Sequence, residues 1–169
     1  DRMQDETIVV AETSSHQAEF IEVAPQCSLL LNLYPEHLDH YNSVDDYYQA
    51  KLNLLAKQHA GDVFIFSDDD VHIRQMGASM LDDRNSFSFS LKHEVKKGCY
   101  VKDEKIIYKN ADSSFAIDIN VNWPLKGRHN LMNIMAAVIA VVHKGVSPYE
   151  IEDALLSFQP LAHRLELIG

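Results

Sequence analysis

The sequence predicts an α/β fold: a mainly parallel sheet flanked by helices, with a small antiparallel β appendage over 98–122. Three observations carry that expectation. Short runs apolar on both faces recur at 7–11, 27–33 and 62–66, as parallel strands covered by helices require. The 44–57 stretch has helical spacing instead, and 131–143 is an Ala-rich apolar stretch of buried-helix length. After residue 98 the pattern turns to short alternating runs.

In chain order, Thr7-Ile8-Val9-Val10-Ala11 is β-branched at four of five positions and stops at a polar stretch from Glu12, which reads as a buried strand and a loop. Cys27 to Leu33 is a second such strand, ended by Tyr34-Pro35. From Val44 to Lys57, Tyr47, Ala50, Leu54 and Lys57 share one helical face. Ser43 is placed to cap that helix, and Asp45 and Asp46 suit the positive end of its dipole. Gly61 breaks the chain, and Asp62 to Phe66 reads as a strand. Ser86 to Ser90 alternates with period two, a strand with one wet face. Tyr100 to Tyr108 reads as a hairpin around Lys102 to Lys105, and Phe115 to Ile119 as a further strand, together a small sheet beside the main one. Leu131 to His143 is a buried helix ended by Gly145, and Pro148 opens a last helix to about Phe158.

Composition narrows the class. The chain has 169 residues, 46% of them hydrophobic, enough for a core without staples. Its net charge of −10 disfavours nucleic acid and anionic membranes, whose binding rests on Lys and Arg. No apolar run approaches the ~20 residues that span a bilayer. Cys27 and Cys99 sit in no metal or disulfide spacing, which fits a reducing cytoplasm. The first residue is Asp1, not Met, and the expectation is a piece of a longer protein.

Ligands of parallel sheets gather at the carboxyl ends of the strands, and Glu12 and His37 both follow expected strands. Glu12 reads as a loop acid or a ligand. His37 and His40 form an HxxH between acids, an incomplete zinc set. Lys51 lies two turns into the 44–57 helix, where its stem could simply pack on the helix face. Asn130 and Asn133 share a face at the start of the buried helix, suited to a polar ligand or to capping. His163 and Arg164 follow Pro160 near the chain end, where they read as ligand contacts or as a linker with solvated charge.

Taken together, ETSSHQ at 12–17, LNLYPEHLDH at 31–40, YQAKL at 48–52, GRHNLMN at 127–133 and LAHRLE at 161–166 resemble the central domain of the Mur ligases, ATP-dependent amide-forming enzymes of peptidoglycan precursor synthesis. The SSxQ and HRLE segments are most similar to the branch that adds D-glutamate to UDP-MurNAc-L-alanine. The resemblance implies a P-loop-type nucleotide-binding domain and a set of roles. Glu12 and His37 would hold Mg²⁺, and Lys51 would act as a carbamate beside His37. Asn130 and Asn133 would bind the adenine edge, and His163 and Arg164 would contact ATP near the hinge to a further domain. The side-chain tips of Glu12, His37 and Lys51 would then converge within about 4–10 Å, the span of two neighbouring Mg²⁺ sites.

No GxxxxGK[ST] loop occurs in these residues, whereas the family carries one about a strand and a helix before the segment that opens here. Residues 1–169 are therefore expected to be a partial ATP-binding central domain lacking its first βα unit, with the N-terminal UDP-binding and C-terminal domains absent, and to be inactive alone. Two alternatives stay open: a diamino-acid-adding Mur ligase, and a non-catalytic nucleotide-binding module.

Overall fold

The computed structural model describes residues 7–36, 39–75, 85–120 and 122–159. They fall into two compact units, one built from 1–24 and 35–58, the other from 25–34 and 59–169.

The second unit is built on a sheet. Among the described residues it has six strands in the order β1 to β6: β1 (Cys27–Leu30), β2 (Val63–Ser67), β3 (Asn85–Ser90), β4 (Gly98–Lys102), β5 (Lys105–Lys109) and β6 (Ser114–Asp118). The pairings β1–β2, β2–β3 and β3–β4 are parallel, and β4–β5 and β5–β6 antiparallel. The expected change from parallel to antiparallel is therefore present. The antiparallel strands nevertheless do not form a sheet beside the main one. β4 hydrogen-bonds β3 from Ser88↔Gly98 to Ser90↔Tyr100 and makes the sheet continuous. Gly98 allows this approach: its φ is +133°, and a Cβ there would run into the Ser88 carbonyl.

Besides the helical residues 71–75, the described part of this unit has two helices, numbered α3 (Arg128–His143) and α4 (Pro148–Ser157) after the two of the first unit. On α3, Ile134, Met135, Val138 and Ile139 recur at helical spacing and are buried in one core with Val63, Ile65, Phe87, Phe89 and Cys99. Phe87 and Phe89 take the apolar face of β3, and Ser86 and Ser88 the wetter one, the alternation expected. α4 opens with Ser147 and Glu150 in a reciprocal capping box and Pro148 in its first turn.

The first unit contains α1 (Ser15–Glu19) and α2 (Val44–Ala56). Ser43 caps α2 as expected, accepting from Asp46 N–H. Asn53 of α2 donates to the Ala18 and Glu19 carbonyls, satisfying the end of α1. Tyr47, Tyr48, Leu52 and Leu55 are the buried side of α2.

Two expectations are corrected. Residues 7–11 form no strand, and Ile8, Val9 and Val10 are exposed at 67, 64 and 93%. A β-branched run supplies propensity but not a partner, and no strand pairs with it among the described residues. The expected loop after Glu12 instead winds into α1, because Ser14 and Gln17 cap it reciprocally.

Candidate functional site

Because β1, β2 and β3 are parallel, the segments that follow them emerge on one side of the sheet. There Leu31 to Tyr34, Ser67, Asp69 to His72, and Leu91 with Lys92 line a cleft of about 360 Å³, together with Arg128 and Met132 from the first turns of α3. A depression of similar volume, about 380 Å³, holds Ser86, Ser88 and Lys97, but no helix begins there and the Lys97 amine is already given to Asn85.

Three consecutive acids at the end of β2 set the rim of the cleft. Asp70 accepts from Leu33 N–H at 2.9 Å, and from His72 and Ile73 N–H at 2.9 and 3.1 Å. It thus caps the helical residues 71–75 and draws Leu33 out of β1, so that this strand ends at Leu30 and not at the expected 33. Asp69 accepts from Ser90 Oγ at 2.6 Å and Leu91 N–H at 2.9 Å, fixing the end of β3. Asp68 pairs with His93 Nε2 at 2.7 Å. The sequence reading passed over all three acids. Apart from the His72 and Ile73 amides, their partners lie 21 to 37 residues away, and the only local sign is an acid run directly after a strand.

The cleft floor is less satisfied. Ser67 is wholly buried, and its hydroxyl has no hydrogen-bond partner among the described residues. α3 starts at Gly127 with no side-chain cap, which leaves first-turn N–H groups without an intrahelical acceptor. Arg128 is exposed there with no ion-pair partner among the described residues. Asp69 and Asp70 accept from neutral donors and keep their charge, and Lys92 Nζ reaches the Asp69 carbonyl at 3.4 Å, so the cations of the lining are Lys92 and Arg128; at the start of α3, Arg128 and the helix dipole together favour an anionic or strongly polar group.

Of the two asparagines, Asn130 is buried and donates to the Lys126 carbonyl at 2.7 Å, tying the preceding loop to the helix rather than capping it. Asn133 is exposed on the same helix.

In the first unit, Glu12 is exposed and has no hydrogen-bond or ion-pair partner among the described residues. Lys51 is half-buried on α2 with its Nζ 5.0 Å from the Tyr47 ring centroid. Tyr47 packs edge-on against Tyr41, which meets His40 and His16, while His40 reaches Glu19 at 3.2 Å. This aromatic row fixes the α2 face that carries Lys51. Of the HxxH pair, His40 is thus a packing residue, and His37 lies outside the described residues, as do His163 and Arg164. Among the described residues no three His, Cys, Asp or Glu side chains converge as a metal cage.

The family model for the Mur ligase middle domain matches residues 1–141. The chain is 35% identical over 173 residues to the UDP-N-acetylmuramoylalanine–D-glutamate ligase of Desulfitobacterium hafniense strain Y51, covering all of this chain and 38% of that protein. It is 32% identical over 165 residues to the ligase of that name from Alkaliphilus metalliredigens strain QYMF, covering 97 and 36%. The chain thus spans little more than a third of the length of these relatives. Among solved structures it is similar to a UDP-N-acetylmuramoyl-L-alanyl-D-glutamate–2,6-diaminopimelate ligase, with TM-score 0.66 and 22% identity over 87% of this chain and 31% of that one. It is also similar to a MurF ligase of Thermotoga maritima in complex with ADP, with TM-score 0.54 and 19% identity over 82 and 31%. At these identities the solved structures speak to the fold.

Proposed function

The chain belongs to the Mur ligase family through its middle domain, and from that premise we propose that it is part of the nucleotide-binding domain of an ATP-dependent ligase that adds D-glutamate to UDP-MurNAc-L-alanine. The observation that carries the nucleotide half is the cleft where the β1–β3 carboxyl ends meet the uncapped start of α3, with Arg128 at that helix start. The amino acid rests on the names of the curated relatives. The UDP-binding and C-terminal domains are supplied by chain beyond these residues, and the ligase works in the cytoplasm.

In the proposed reaction the substrate carboxylate takes the γ-phosphoryl group of ATP, and the amine of D-glutamate then displaces phosphate from the acyl phosphate. Asn133 and Arg128 would hold the nucleotide, Asn130 would keep the loop before α3 in place, and His163 and Arg164 would close on the nucleotide from the hinge. The first unit fits a hard cation once Lys51 is carbamylated: among the described residues Glu12 offers a carboxylate without a partner, and no carboxylate pairs with Lys51. An ammonium of ordinary pKa near 10.4 repels Mg²⁺, whereas the carbamate formed from Lys51 and CO₂ presents anionic oxygens. Glu12, His37 and carbamylated Lys51 would hold Mg²⁺, which supplies charge neutralisation for the phosphates.

Phosphate release from ATP by the full-length protein tests the proposal. It should require UDP-MurNAc-L-alanine and D-glutamate together. Turnover with meso-diaminopimelate on the next precursor would move the protein to the diamino-acid-adding branch. ADP binding without any turnover would leave a nucleotide-binding module. The 169-residue chain alone should release none.

A further inference from the structure

Side chains at alternate positions of a strand share a face, so Val63, Ile65 and Ser67 form one row on β2. Val63 and Ile65 are packed in the core with Ile134, Met135 and Val138 of α3. Ser67 occupies the next place in that row, where the sheet meets the cleft. Burying a hydroxyl without a partner costs stability, and a small apolar side chain there would avoid the cost. Around Ser67, Leu31, Leu33, Leu91 and Met132 give the lining its aliphatic part, Asn32, Asp69, Asp70, His72 and Lys92 its polar part, and Arg128 stands beside the start of α3. Aliphatic side chains beside a buried hydroxyl suit the face and the polar edge of a flat heteroaromatic ring, and a cation with free helix N–H groups suits phosphate.

We propose that Ser67 is a nucleobase-binding residue of this cleft: its hydroxyl takes up the hydrogen bond it lacks in the free protein from the polar edge of a base lying against the aliphatic side chains, while Arg128 holds the phosphate end. This rests on the nucleotide-binding reading of the cleft. It adds a residue on β2 to Asn133 of α3.

Titration of the full-length protein with ADP and with adenosine, followed by calorimetry or amide shifts, tests it. Ser67→Ala should weaken both ligands by the same factor, about 2- to 10-fold, as expected for one uncharged hydrogen bond. Arg128→Ala should weaken ADP and leave adenosine unchanged. The ligand-free Ser67→Ala protein should melt at or above the wild-type temperature, since no partner is lost. Unchanged affinity of Ser67→Ala for both ligands would overturn the role of Ser67 alone. A melting point lowered by several degrees would do the same, by revealing an internal partner. Wild-type protein that binds neither ligand would overturn the nucleotide reading, and this inference with it.

Discussion

Lys51 and Lys57 lie six positions apart on or next to α2, and their surroundings differ. Lys51 is half-buried beside Tyr47, on a face held by the row of Tyr41, His40 and His16. Lys57 is exposed at the C-cap. In the full-length ligase, Lys51→Ala should lower kcat by at least about 100-fold, the scale on which losing a preorganised transition-state contact is felt. Lys57→Ala should leave it within about twofold. Acetate should partly restore Lys51→Ala by bringing carboxylate oxygens into the vacated space. Equal, small losses in both variants and no rescue would mean that Lys51 only packs its stem on the helix. The helix that carries Lys51 was legible in the sequence, because its apolar spacing and its Ser43 cap lie on one short stretch of chain. Asp68, Asp69 and Asp70 were not, because nothing near them in sequence announces the Leu33 and Leu91 amides and the His93 ring that they bind.

At the scale of elements, those readable from local pattern were found. The β-branched and aromatic run at β2, the alternation of β3, the β4–β5 hairpin and the apolar stripe of α3 all follow from side-chain period. What period could not reveal was pairing. Residues 7–11 have the composition of a strand without a neighbour, and β4 joins β3 through a glycine whose role appears only when the strands meet. The hairpin allows two substitutions of opposite sign. Gly98→Ala should destabilise by about 3 kcal/mol or more, from the overlap with Ser88 and the positive φ together. Asp103 and Glu104 make the two-residue turn with φ of +49° and +58°, the conformation for which Asn-Gly is favoured. Glu104→Gly should therefore stabilise by up to about 1 kcal/mol. Urea melts of both variants check the signs. α4 adds a pH dependence. Glu150 is held below the ordinary carboxyl value of 4.5 by the Ser147 hydroxyl first and the Ser147 N–H second. A depressed carboxyl stabilises the fold above 4.5 and loses that contribution as pH falls through its folded value. Amide exchange at Ile151, corrected for its intrinsic rate, should lose protection in that acid range, and Glu150→Gln should remove the dependence.

Across the whole molecule, the sheet unit has the larger core, running without interruption from β2 through β5 to α3. Its two thiols mark different depths. Cys99 is wholly buried between β3 and β5, and burial drives its thiol far above the ordinary value of 9.0. Cys27, at the start of β1, is half-buried, and burial raises its thiol while Lys144 offsets part of the rise. The thiolate is the reactive form, so both are slow at neutral pH, but for different reasons. Cys27 needs only deprotonation and local fraying at a strand end. Cys99 needs its neighbours on both sides to separate, which amounts to opening the core. Labelling with a chromogenic disulfide at pH 8 should therefore proceed in two phases. The first belongs to Cys27, is insensitive to low urea, and disappears in Cys27→Ser. The second belongs to Cys99, and its rate should rise with urea as steeply as global unfolding measured by circular dichroism, because subglobal openings that spare the core leave this thiol covered. A shallow urea dependence for Cys99 would show that β4 can detach from β3 while the remainder of the sheet stays folded, and that the parallel junction at Gly98 is the seam along which the unit opens.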